Sequence, residues 1–335
     1  RVDRDTGSAI SDPGITTPRT NAERYHMPWV AGEWRSGAWT WMAEAYWPRF
    51  TTRQRDRYAD TATGQDLLPA QDEGAAHHHR LLPRLGASLR LGPGRALHWA
   101  WQESVRAPGT HTLSPVATGA IAVDNQYLLA GSYARKHAVQ LDWEASPTTF
   151  WGASLSGQRI SNLVAANGRL FAQNTGALFD NVSTIAPVVL NAQTTLNTYE
   201  ETPLFGQGQL AQATVSVNHL LGPRWSVLGS YIHTTSRNTG AGLEGRWLPG
   251  FARHAVLGQT TWRHEARSFS LLRLTWRGMR YSDEANTVQR APGWSLALAH
   301  GWESQDRRWS FTGTVQTGLR TGERPTLWAL VRYRD

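Results

Sequence analysis

Cysteine is absent from the 335 residues, and lysine occurs once, at Lys136, against 33 arginines. The first absence removes disulfide scaffolds, thiolate metal sites and cysteine nucleophiles. Charged residues make up 18 % of the chain and hydrophobic residues 40 %, below the about 25 % and about 45–50 % usual in soluble domains. A conventional apolar core would therefore be thin, while the low charge argues against disorder. No apolar run reaches about 18 residues, so no membrane-spanning helix is expected, and the polar residues 1–12 carry no secretory signal. The net charge of +8 raises nucleic-acid binding, but the arginines are scattered singly or in pairs and never form a run of five. Basic nucleic-acid binders gather such residues on one face, so no nucleic-acid partner is expected.

What the chain has in quantity is tryptophan, 17 residues of it, and strict alternation. Trp39, Trp41, Ala43, Ala45 and Trp47 alternate with Thr40, Met42, Glu44 and Tyr46. Val139, Leu141, Trp143 and Ala145 alternate with Ala138, Gln140, Asp142 and Glu144, and the same holds from Trp309 to Leu319. Successive side chains of a strand point to opposite faces, so each segment has an apolar and a polar side. The pattern recurs at 85–91, 97–105, 151–155, 213–217, 225–231, 294–302 and 327–333, and in noisier form at 252–262 and 269–281. Many of these segments run about 9–12 residues, long enough for a tilted strand to cross a bilayer. Helical periodicity is almost absent.

Short connections (Leu91-Gly92-Pro93-Gly94-Arg95, Gly222-Pro223, 304–307, 320–324) alternate with long polar stretches at 51–79, 108–134, 161–208 and 234–249. Turns at one end and loops at the other organise an outer-membrane barrel. The fold class predicted is therefore all-β: a transmembrane antiparallel barrel over 25–335, preceded by a polar segment 1–24. About 13 segments and an even-number rule predict 14 strands, within a range of 12 to 16. A soluble β-sandwich also alternates, but its core favours aliphatics. Here Trp39, Trp47, Trp225, Tyr231, Trp294, Trp302, Trp309 and Tyr333 mark strand ends as a membrane girdle would. The apolar part of 161–208 predicts that this loop folds inward.

Several motifs resemble the barrels of TonB-dependent outer-membrane receptors. Leu82-Pro83-Arg84-Leu85-Gly86-Ala87-Ser88-Leu89 leads through a turn to Leu97-His98-Trp99-Ala100-Trp101 and the loop entry Arg106-Ala107-Pro108. Ala134 to Trp143 with Thr149-Phe150-Trp151 resembles the following hairpin, Leu248-Pro249-Gly250-Phe251-Ala252-Arg253-His254 a late strand entry, and 281–287 the next long loop. The resemblance runs from about Leu82 to Asp335. It departs from those receptors in showing no plug, no TonB-box-like segment and too little chain for 22 strands. It ends in Arg334-Asp335 where such barrels carry a terminal aromatic. Plugless barrels also resemble the C-terminal parts of outer-membrane export proteins with a periplasmic helical-repeat (TPR) region. The resemblance therefore implies either uptake of a nutrient or chelate, or export of a polysaccharide. Expected partners are outer-membrane lipid and lipopolysaccharide, with a periplasmic helical-repeat domain or inner-membrane complex for export.

Chemistry other than transport finds little support. His77-His78-His79 lacks the spacing of a rigid metal site. There is no G-x-S-x-G elbow, and Gly240-Ala241-Gly242 lacks a phosphate-loop lysine. No catalytic residue, metal or cofactor is assigned. Parity instead nominates lumen-lining residues: Glu44, Arg90, Gln140, Asp142, Glu144, Gln212, Thr214, Ser216, Asn218, Ser310, Thr312, Thr314 and Gln316. Amides and hydroxyls of this kind hydrogen-bond a hydrated solute of either charge. Tyr127, Tyr133, Phe171, Phe179, Tyr199 and Phe205 are aromatics able to stack on sugar or chelate faces from the loops. A soluble carbohydrate-binding β protein and a barrel enzyme are the two alternatives.

Overall fold

The computed structural model describes residues 2–12, 15–60, 66–105, 117–122, 132–162, 205–265, 267–306, 308–318 and 325–333, with the backbone alone over 2–25 and 50–79. Among these there is no helix. The strands are β1 (Val2–Asp12), β2 (Ile15–His26), β3 (Trp29–Ser36), β4 (Trp39–Tyr46), β5 (Arg49–Asp60), β6 (Asp66–His79) and β7 (Leu82–Gly92). There follow β8 (Arg95–Val105), β9 (Ala117–Thr118), β10 (Ile121–Ala122), β11 (Tyr133–Ser146), β12 (Thr149–Ser161), β13 (Gln207–Leu220) and β14 (Trp225–Asn238). The last are β15 (His254–Glu265), β16 (Ser268–Arg277), β17 (Arg280–Tyr281), β18 (Gln289–Arg290), β19 (Gly293–Glu303), β20 (Trp309–Gly318) and β21 (Thr326–Tyr333).

Thirteen of them form one antiparallel up-and-down sheet in the order β21-β20-β19-β16-β15-β14-β13-β12-β11-β8-β7-β4-β3. That count lies within the range of 12 to 16 expected. The connections β3–β4, β7–β8, β11–β12, β13–β14, β15–β16 and β19–β20 are short and gather at one end, the turn end. Gly94, at φ +67°, closes the β7–β8 turn in a left-handed conformation, where an added Cβ would lie 2.8 Å from the Glu144 carbonyl oxygen. The β20–β21 connection, grouped above with the short turns, lies at the opposite, loop end.

The stretch 51–79, read from sequence as a polar loop, is mostly paired strand. So is the N-terminal segment 1–24. β1, β2, β5 and β6 make a second antiparallel sheet, and this ribbon continues β3, β4 and β7 past the loop end. The ladder steps at Met27-Pro28, Trp47-Pro48 and Arg80-Leu81. Proline has no N–H to give to a ladder, and the step is bridged where the Trp47 amide donates to the Pro28 carbonyl at 2.9 Å. The sequence of both stretches is mostly polar at successive positions, so it carries no period-two alternation to read.

The main sheet has two unlike faces. Trp41, Leu85, Trp99, Val139, Leu155, Val215, Val256, Leu272, Leu298 and Val315 stand on one, all exposed, and cross-strand register keeps them together from β4 to β20. This outer face is an apolar belt whose natural solvent is lipid. The inner face is mainly polar and carries the buried clusters. At its loop end Phe205, Leu248 and Phe251 pack on Ala134, Ile160 and Leu210. Asn238 and the Gly206 amide donate to Glu284 at 2.9 and 3.0 Å, and Asn286 bonds both the amide and the carbonyl of Trp247. The segment Leu248 to His254 thus seats the chain before it enters β15.

Asp283 orders the adjacent loop, accepting from the Thr287 amide and hydroxyl at 3.0 and 2.7 Å and from the Val288 amide at 2.7 Å. These bonds hold its carboxyl down from 3.8 to about 2. A depressed carboxylate stabilises above its unfolded value and loses that contribution as pH falls through its folded one. Between pH 4 and pH 2, the protection of the Thr287 and Val288 amides against hydrogen exchange, relative to the free-chain rate at each pH, is therefore expected to fall. Asp283→Asn should show the faster exchange already at pH 7; equal protection in the two proteins at pH 7 contradicts this account.

Candidate functional site

Register places the nominated residues on the inner face. Glu44 pairs with Arg84, Gln140 with His98, Thr214 with Ser154, and Thr314 with Ala299. Glu44 is buried, Gln140, Asp142, Gln212, Thr214 and Ser216 are half-buried, and so are Ser310, Thr312, Thr314 and Gln316. Arg90, Glu144 and Asn218 are exposed near the turn end; a bulge between Glu144 and Ser146 interrupts the register there.

Between β4 and β11 the inner face is covered by a short piece of chain that the alternation does not reveal. The β9–β10 hairpin, within the stretch 108–134, lies against the inner face. Thr118 is fully buried and donates to Glu44 Oε2 at 3.3 Å; Gln102 Nε2 donates to the Ile121 carbonyl at 3.1 Å. Ile121 packs between Ala100 and Ala138. The approach is close because two glycines meet, Gly86 on the wall and Gly119 in the hairpin: a Cβ on Gly86 would lie 2.6 Å from the Gly119 nitrogen. The stretch expected to fold inward, 161–208, has 163–204 outside the described residues, together with Tyr127, Phe171, Phe179 and Tyr199.

Beneath the hairpin the charges are paired. Arg84 Nη1 lies 3.7 Å from Glu44 Oε2, which also accepts from the Tyr46 hydroxyl at 2.7 Å. A second line runs across three strands: Ser88 Oγ to His98 Nδ1 at 2.8 Å, His98 Nε2 to Asp142 Oδ2 at 3.3 Å, and Gln140 Nε2 to Asp142 Oδ1 at 2.9 Å. Serine, histidine and aspartate in line are the residue types of a hydrolytic triad. Ser88, however, also lies 3.3 Å from the Gly119 carbonyl as a donor. A hydroxyl has one proton; directed to Gly119, it leaves Ser88 accepting from the imidazole, the reverse of an activated nucleophile. The line reads as a strut between wall and hairpin. On the far side of the sheet Arg273, an inner-face cation that parity reading missed in the noisy 269–281 segment, donates to Gln259 at 3.0 Å.

Two of the loop aromatics take other roles. Phe205 is fully buried in the loop-end cluster and offers no face to a solute. Tyr133 belongs to β11, packs beside Tyr46, Leu82 and Val105, and has the Arg80 guanidinium 4.9 Å from its ring centre. All eight girdle candidates are exposed. Trp39, Trp225, Trp302, Trp309 and Tyr333 stand toward the turn end, and Trp47 and Trp294 toward the loop end. Tyr231 lies further along β14, where its hydroxyl meets His254 Nδ1 at 2.8 Å. Trp262, which sequence reading passed over, stacks on Trp225 at 5.2 Å and 7°.

A polar inner wall, an apolar outer belt and a meander of long strands invite comparison with solved barrels. The ferric yersiniabactin uptake receptor FyuA from Yersinia pestis matches 97 % of this chain with a TM-score of 0.57 and 11 % identity. The ferric citrate transporter FecA matches 98 % at 0.53 and 12 %, and the siderophore receptor PiuA from Acinetobacter baumannii 96 % at 0.51 and 11 %. The fold is that of an outer-membrane β-barrel. The chain spans about half the length of these receptors, from 44 % to 56 %. No family model and no curated protein matches it. At these identities the likeness is one of fold, and the outer membrane is where a sheet with this apolar outer belt sits.

Proposed function

We propose that the chain is an outer-membrane uptake barrel for a polar nutrient or metal chelate. The observation that carries the reading is the inner face: hydroxyls, amides and locally paired charges, narrowed by a docked hairpin, in a fold shared with structures named for ferric chelates. The hydroxyls and amides give a hydrated chelate hydrogen-bonding groups along the wall. Lumen-lining roles for Gln140, Asp142, Gln212, Thr214, Ser216 and the β20 residues belong to this proposal, as do solute contacts by Tyr127, Phe171, Phe179 and Tyr199 and headgroup anchoring by the exposed tryptophans.

Single-channel recording in planar bilayers tests it. An uptake barrel is expected to be closed or weakly conducting, and ferric citrate or a ferric siderophore should change its tryptophan fluorescence. Export of a polysaccharide through a barrel joined to a helical-repeat partner requires a wide passage instead. A steady, large conductance with no response to any ferric chelate would overturn the uptake reading.

A further inference from the structure

The outer face carries one feature that transport does not use. Toward the loop end of β11–β14 the apolar belt gives way to a row of Arg135, Arg159, Gln209 and Arg237, aligned directly across four strands. Strands lie about 4.8 Å apart, so the row spans roughly 14 Å. Arg135 is partly neutralised by Glu103, which accepts at 2.9 Å and is shared with Arg80 at 3.6 Å. Arg159 and Arg237 are exposed, and among the described residues neither meets a carboxylate at ion-pair distance. One step toward the membrane the row is His137, Gly157, Ala211 and Thr235, and the next is Val139, Leu155, Ala213 and His233.

The small side chains of Gly157 and Ala211 cut a groove between bulkier neighbours. Its upper part, about 530 Å³, is lined by the arginines, and its lower part, about 390 Å³, by Trp99, Val139, Leu155 and Ala213. The two parts share His137, Gly157, Ala211 and Thr235. Guanidinium donors above an apolar trough match an amphiphile with an anionic head and acyl chains. Guanidinium forks favour phosphate in particular. The loop end of such a barrel faces outward, which puts the groove in the outer leaflet.

We infer that this groove holds a phosphorylated acyl lipid of the outer leaflet, of the lipopolysaccharide type, with phosphate on Arg159 and Arg237 and an acyl chain along Gly157 and Ala213. The inference rests on the outer-membrane placement and is independent of what the lumen carries. A test uses the full chain, folded in detergent, with bis-phosphorylated lipid A, its dephosphorylated form and inorganic phosphate as probes. The double variant Arg159→Gln/Arg237→Gln should bind lipid A about tenfold or more weakly, as expected for lost charge-assisted bonds. Gly157→Leu fills the trough without strain, since nothing lies within 4 Å of its added Cβ. It should weaken lipid A binding by a similar factor, while inorganic phosphate in excess should not displace the lipid. Heat-modifiable migration on a gel checks that each variant is folded. Equal binding of the dephosphorylated lipid, or unchanged binding by the double variant, overturns the headgroup assignment. Displacement by inorganic phosphate together with indifference to Gly157→Leu makes it a free-anion site and overturns the lipid.

Discussion

Gly119→Val should free the β9–β10 hairpin from the wall and raise the conductance of the reconstituted barrel. Gly119 sits at φ +56°, and a Cβ there would lie 2.9 Å from the Trp99 carbonyl oxygen and 3.0 Å from both the Ala87 nitrogen and the Gly86 Cα. All three contacts are backbone atoms of paired strands, which cannot yield without breaking the β7–β8 ladder. A β-branched residue in the left-handed region adds about 1–2 kcal/mol of its own, and overpacking about 1–3 kcal/mol. Against this the hairpin is held by four hydrogen bonds to wall side chains, at Met42, Glu44, Ser88 and Gln102, each worth about 0.5–1.5 kcal/mol, and by the burial of Ile121. The two sides are of similar size, so the hairpin moves and the barrel keeps its strands. Gly86→Val should act alike from the opposite side, and Gly119→Ala less strongly. Planar-bilayer conductance is the readout; a folded Gly119→Val protein that conducts like the parent would show that the hairpin does not narrow the passage.

Alternation made the two faces readable because it needs only a strand's period and a difference of solvent. Trp39 and Trp41, Val139 and Leu141, or Phe311 and Val315 declare the outer face, and every residue between them is then inner by parity. The same logic reaches Arg84, Ser88 and His98, which follow from Arg90 and Gln140 by counting in twos and by register. What period two does not carry is anything that leaves the sheet and returns. Thr118 and Ile121 are buried by a hairpin whose anchors are 74 and 19 residues away in sequence. Phe205 resembled a solute-facing loop aromatic because its partners, Leu248 and Phe251, lie more than forty positions on. The 51–79 ribbon failed for the opposite reason, since its sequence is mostly polar and has no apolar row to announce a strand.

Glu44→Ala should be among the most destabilising single changes in the chain. Glu44 and Arg84 are 4 % and 3 % exposed, side by side on β4 and β7. Arg84 also lies 3.9 Å over the Tyr46 ring and donates to the Glu103 carbonyl at 3.3 Å. Removing one partner of a buried ion pair costs about 3–5 kcal/mol. The same change takes the acceptor from the Tyr46 and Thr118 hydroxyls. Glu44 Oε1 has no hydrogen-bond partner among the described residues, so the carboxylate is not fully compensated even in the parent protein. For that reason the double change Glu44→Met/Arg84→Met, which removes both charges and keeps bulk, should cost much less than the sum of the single changes. Urea unfolding of the parent, Glu44→Met, Arg84→Met and the double variant, read as a double-mutant cycle, gives the coupling directly. Additive losses would mean that Arg84 does not depend on Glu44, whereas a double change that costs far less than the sum shows that the two charges hold each other in the wall on which the hairpin sits.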